Sequence, residues 1–156
     1  MQRLKYAGYT IAFQEVPNEV SLLINVSGCP HFCEGCHSEY LREYRGRYIE
    51  DDLIDLLSQY DGLITCVCFM GGEQNKTELI KFLRQIKNFY EIKTCLYSGS
   101  DEVNDVYDFL PFLDYLKIGS YKKEFGGLGN PNTNQVFYSV ENGNLKNITY
   151  EFIKTV

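Results

Sequence analysis

Three cysteines within eight residues, Cys29-Pro-His-Phe-Cys33-Glu-Gly-Cys36, constrain this chain more than any other feature of it. They follow an apolar run, residues 20–26 (VSLLINV), that reads as a strand ended by Ser27-Gly28. Thiolates packed this closely select zinc, copper(I) or an iron–sulfur cluster. A structural zinc site takes four protein ligands, usually as two separated pairs. The chain has no second pair at suitable spacing, because Cys66-Val-Cys68 falls inside a predicted strand, where residues two apart share a face. His31 or His37 could complete a zinc set only from within the same short loop, which makes a cramped chelate. A four-iron cluster suits the loop better. Three thiolates hold three irons and leave the fourth open to a ligand, and an open position distinguishes a reactive metal centre from a structural one.

Composition narrows the setting. The 156 residues, 44% hydrophobic and 23% charged, read as one globular domain over residues 1–156. The net charge of −6 makes nucleic acid a poor default partner. Six Cys are too few for a disulfide scaffold of this length. The N-terminal residues carry no signal-peptide pattern, and the longest apolar runs are strand-sized, so no membrane is expected. A cytoplasmic location follows as the expectation, one in which clustered thiols serve metal or redox chemistry.

Strand and helix patterns alternate along the chain. After a possible early strand at 9–16 and the strand at 20–26, residues 49–60 read as a helix with Glu50, Asp51 and Asp52 in its first turn. Leu53, Ile54, Leu56 and Leu57 form its apolar side, and Asp61-Gly62 ends it. Residues 63–70 (LITCVCFM) form a nearly continuous apolar run that fits a strand buried on both faces. A helix over 77–90 repeats Leu79, Phe82, Leu83, Ile86, Phe89 and Tyr90. A strand at 93–97, a short helix at 103–112 and a strand at 114–118 follow. Then come a long loop at 119–135 and a hairpin at 136–140 and 145–149 around Asn142-Gly143. The alternation predicts an α/β fold with a parallel sheet core. Ligands then gather at the carboxyl ends of the strands. Four segments share that rim: the cysteine loop, Gly71-Gly72-Glu73, Tyr97-Ser98-Gly99 and Gly119-Ser120.

The cysteine spacing is the signature of the radical S-adenosylmethionine (SAM) superfamily. The chain from about residue 9 to 140 resembles the activating proteins of anaerobic (class III) ribonucleoside-triphosphate reductase. The resemblance is carried by Ser27-Gly28-Cys29-Pro30-His31, Cys33-Glu-Gly-Cys36-His37, Phe69-Met-Gly-Gly-Glu73 and Leu96-Tyr-Ser-Gly99. It continues through Tyr115-Leu-Lys-Ile-Gly119 and Asn130-Pro-Asn-Thr-Asn-Gln-Val-Phe-Tyr138, and this last segment points to the reductase activases in particular. The chain departs from the wider pattern in several places. Gly35 precedes the third cysteine where many superfamily members have an aromatic residue. Leu41 stands near a Trp of many activases, Glu73 replaces an Asp, and Ile118 stands where many relatives carry Asp.

The resemblance implies a partial, open radical-SAM (βα) barrel. It implies a [4Fe-4S] cluster on Cys29, Cys33 and Cys36, and SAM held by Gly71, Gly72, Glu73 and Ser98. In that chemistry an electron donor such as flavodoxin reduces the cluster. SAM is cleaved to methionine and a 5′-deoxyadenosyl radical, which installs a glycyl radical on the anaerobic reductase. Beside that reading stand an activase of another glycyl radical enzyme and a non-catalytic zinc or iron–sulfur binding module. His31 and His37 read as loop-packing residues, and Cys66, Cys68 and Cys95 as small buried strand residues. Phe32 and Tyr97 are candidates to wall the adenosine, and the 119–135 loop to meet the partner.

Overall fold

Five apolar segments of four to six residues seed the sheet, and the helices between them settle its topology. The computed structural model of the protein describes residues 2–29 and 39–153. Among these, an eight-stranded sheet has the order β3-β1-β2-β4-β5-β6-β7-β8. β2 (Ser21–Val26), β4 (Cys66–Met70), β5 (Lys93–Tyr97) and β6 (Tyr115–Ile118) pair in parallel. β1 (Lys5–Ala12) and the two-residue β3 (Arg47–Tyr48) flank this core antiparallel on one side. β7 (Val136–Glu141) and β8 (Asn144–Asn147) flank it on the other.

The expected parallel core is thus present within a mixed sheet. The predicted strand at 63–70 starts only at Cys66, because residues 61–63 form a turn after the first helix, with Leu63 68% exposed. The early strand begins at Lys5 rather than residue 9, and residues 13–16 lie outside it. The hairpin turns at Asn142 (φ 53°) and Gly143 (φ 78°), the positive pair a two-residue turn requires. Its second strand stops at Asn147, since Thr149 opens a 3-10 turn, Thr149–Phe152.

Each parallel strand is added on the same side of the last. Right-handed crossovers then place α1 (Ile49–Gln59), α2 (Lys76–Phe89) and the 3-10 segment Val103–Phe112 on one face. Alternation sends Leu22, Ile24, Val67, Phe69, Leu96 and Leu116 to that face. There they meet Leu53, Leu57, Leu79, Phe82 and Phe109, with Phe69 stacked on Phe82 at 6.4 Å. Two helix positions read as apolar-side residues, Ile54 and Phe89, instead face solvent, Phe89 at 74% exposure. The other face carries Leu23, Cys66, Cys68, Cys95, Tyr97, Tyr115 and Phe137, and neither α1 nor α2 packs on it. Val16, Leu128, Ile148 and Phe152 pack there instead.

The start of α1 is tied to the flanking strands. Asp52 accepts from the Tyr6 hydroxyl (2.7 Å) and from Arg47 through Nε (2.6 Å) and a second guanidinium nitrogen (2.9 Å). The Arg47 bonds, then that of Tyr6, hold the Asp52 carboxyl down at about 2, while burial and Asp52 push the Tyr6 hydroxyl up to about 12. Gly46 lets the chain enter β3: its φ is 98°, and a Cβ there would stand 2.0 Å from the Tyr6 carbonyl oxygen. Because the folded Asp52 pKa lies below its unfolded value of about 4, the tie stabilises above pH 4. It is lost as pH falls towards 2. Asp52→Asn is expected to flatten the acid limb of urea stability between about pH 4 and 2, and to leave the profile above pH 5 parallel to that of the parent.

Candidate cofactor site at the carboxyl rim of the sheet

The carboxyl end of β2 is shaped by Ser27 and Gly28. Ser27 is buried. Its N–H donates to the Lys5 carbonyl (2.9 Å), its hydroxyl donates to the Arg45 carbonyl (2.5 Å), and it accepts from the Arg45 N–H (3.0 Å). Gly28 then turns at φ 78°. The Cys29 N–H donates to the Leu41 carbonyl at 2.9 Å, so the cysteine loop leaves and re-enters the fold at one point. Cys29 is half-buried at that point. Cys33 and Cys36, like His31, Phe32 and His37, lie outside the described residues.

The end of β4 comes to the same place. Gly71 (φ 101°) and Gly72 (φ 113°) turn the chain in a region that side chains disfavour. The Gly71 N–H donates to the Tyr97 carbonyl (3.0 Å), and a Cβ on Gly72 would meet the Leu79 side chain at 3.3 Å. Gln74 links this turn to the cysteine loop: its Nε2 donates to the Ser27 carbonyl (3.1 Å), and its Oε1 accepts from the Gly72 N–H (3.1 Å). Asn75 caps α2 by accepting from the Glu78 N–H at 3.2 Å. Glu73 turns towards β5, where Oε1 accepts from the Ser98 hydroxyl at 3.2 Å, and Oε2 is shut off from solvent. The structure therefore joins Gly71, Gly72, Glu73 and Ser98 in one cluster. Gln74, which sequence reasoning missed, is what ties that cluster to the root of the cysteine loop.

Farther along the rim, Lys117 donates to the carbonyls of Ser98 (3.1 Å) and Gly119 (2.8 Å). The 119–135 loop is pinned there as well, through Gln135 Nε2 on the Gly119 carbonyl (3.3 Å) and Asn134 Nδ2 on the Ser120 carbonyl (3.0 Å). Tyr97, a candidate adenosine wall, sets its ring against Phe137 and its hydroxyl on the Glu15 carbonyl. Cys66, Cys68 and Cys95 are fully buried, as expected. Burial pushes the Cys66 and Cys95 thiols up, which favours their protonated form. Among the described residues, no group of three or more His, Cys, Asp or Glu side chains gathers to hold a metal ion. Nor is any helix among them long and apolar enough to cross a membrane.

The class of protein is set by a family match, which makes it an iron–sulfur protein. Residues 19–126 match the family described as a 4Fe-4S single cluster domain, and the chain belongs to that family. The matched span holds the cysteine loop and all four parallel strands, while β1 and the β7–β8 hairpin lie outside it. No curated protein and no solved structure matches the chain. Gly72→Ala is expected to cost about 1–3 kcal/mol, the usual strain of a side chain held at such a φ, read as a lower urea midpoint. An unchanged midpoint would mean that the turn relaxes freely.

Proposed function

We propose that the protein is an iron–sulfur and SAM-dependent activase of the radical SAM superfamily, acting as a single domain over residues 1–156. It generates a 5′-deoxyadenosyl radical and installs a glycyl radical on anaerobic ribonucleoside-triphosphate reductase. The observation that carries the reading is the Glu73–Ser98 pair, linked through Gln74 to the loop that starts at Cys29. A carboxylate fixed beside two glycines suits an amino-acid ammonium: the glycines admit a ligand close to backbone, and Glu73 supplies the charge. The donor chemistry thus fits SAM. The family match and three clustered thiols fit a [4Fe-4S] cluster on Cys29, Cys33 and Cys36.

When bound together, cluster and SAM supply one-electron cleavage of SAM to the adenosyl radical. The chain's own part is binding, orientation and exclusion of water. Glu73 accepts the ammonium, Gly71 and Gly72 let the ligand approach, and Ser98 holds Glu73. Met70 and Tyr97 line the adjoining sheet face. One-directional winding with α1 and α2 on a single face supports a partial, open barrel. A flavodoxin-like donor and a cytoplasmic setting complete the proposal.

Two measurements test the cofactors. Cys29→Ala, Cys33→Ala and Cys36→Ala are each expected to abolish the four-iron cluster, whereas Cys66→Ala, Cys68→Ala and Cys95→Ala retain it. Iron, sulfide and zinc analysis with EPR decides, and a single zinc in the native protein would favour a binding module. Glu73→Ala should keep the cluster but weaken SAM binding by about 1.5–3 kcal/mol, the worth of a charged hydrogen bond. The activity itself is tested by anaerobic reconstitution with the reductase. A glycyl EPR doublet should appear on the reductase and be lost when its target Gly becomes Ala. SAM cleavage without any organic radical on the reductase would end the activase reading.

A further inference from the structure

The ends of β5 and β6 are held together by a side chain to which the proposed cofactor contacts give no role. Lys117 is only 8% exposed, although an ammonium is costly to remove from water. Its register partners on the same sheet face, Tyr97 and Phe137, are aromatic, so an apolar side chain would pack there readily. Lys117 instead reaches the rim, where Nζ donates to the carbonyls of Ser98 (3.1 Å) and Gly119 (2.8 Å). The backbone adds a second clasp, from the Ser98 N–H to the Lys117 carbonyl at 2.9 Å. Ser98, itself fully buried, accepts from the Ser100 N–H (3.0 Å) and donates to Glu73 (3.2 Å). Gly119 is equally confined, since a Cβ there would stand 2.8 Å from the Gln135 Cα.

We infer that Lys117 is a positioning residue for the Glu73–Ser98 pair: by clamping the Ser98 and Gly119 carbonyls it fixes the serine hydroxyl that aims the Glu73 carboxylate at the ligand ammonium. The inference rests on the reading of this rim as a SAM site. It assigns Lys117 an action through Ser98 and Glu73, not a contact of its own with the ligand. Glu73→Ala and Lys117→Met then interrupt one chain of contacts, and their effects cannot multiply.

The test is a double-mutant cycle on the reconstituted holoprotein, with SAM affinity read from the EPR change of the reduced cluster and folding read by thermal melting. Glu73→Ala is expected to weaken SAM at least tenfold and Lys117→Met by no more than that, and the double variant should be no weaker than Glu73→Ala alone. A decarboxylated SAM analogue, which keeps the ammonium, should lose as much affinity on Lys117→Met as SAM does. A loss in the double variant equal to the product of the two single losses, or a loss confined to the carboxylate-bearing ligand, would make Lys117 a direct ligand contact and overturn the inference. So would unchanged affinity in Lys117→Met beside a weakened Glu73→Ala. Unchanged affinity in Glu73→Ala itself removes the SAM reading of the pair, and the inference with it. If Lys117→Met does not fold, Lys117→Gln takes its place in the same cycle.

Discussion

The parallel register of β2, β4, β5 and β6 is the constraint on which the rest of the molecule depends. It aligns Asn25 with Met70, Tyr97 and Lys117, and Leu23 with Cys68, Cys95 and Tyr115. A slip of one residue in any strand would send its apolar set from the helix-covered face to the opposite one. The same register brings the four strand ends to one level, where short loops can touch. Every crossover turns the same way, so one face is sealed by helices while the other is closed by local chain, with Val16, Leu128 and Phe152 packed on it.

Contact between those loops makes the rim a continuous structure. Cys29 bonds to Leu41, Gln74 joins Ser27 to Gly72, Glu73 meets Ser98, and Lys117 spans Ser98 and Gly119. The Lys117 bonds are buried and those of Gln74 and Glu73 part-buried, and a missing partner costs most where water is displaced. Positive φ at Gly28, Gly71, Gly72 and Gly119 lets the chain fold in over the ends of β2, β4 and β6. Below this level the sheet face is rich in sulfur, with the Cys68 thiol 3.7 Å from the Met70 thioether. Burial raises the pKa of the neighbouring Cys66 and Cys95 thiols and leaves them as packing groups.

The sequence by itself determined the α/β alternation, because apolar period and glycine punctuation are local properties. Strands at 20–26 and 93–97 and the Asn142-Gly143 hairpin were legible to within a residue or two for that reason. The iron–sulfur family was legible for a similar reason: three thiols in eight residues have few chemical uses. Only the tertiary structure decided what depends on residues far apart in the chain. Nothing local marks Arg47–Tyr48 as a strand, since two residues carry no period, and it is the Asp52–Tyr6–Arg47 contact that holds them beside β1. Gln74 and Lys117 look like ordinary polar residues along the chain. They join the site because each bonds a carbonyl 47 and 19 residues away, and such pairings exist only once the parallel strands stand in register.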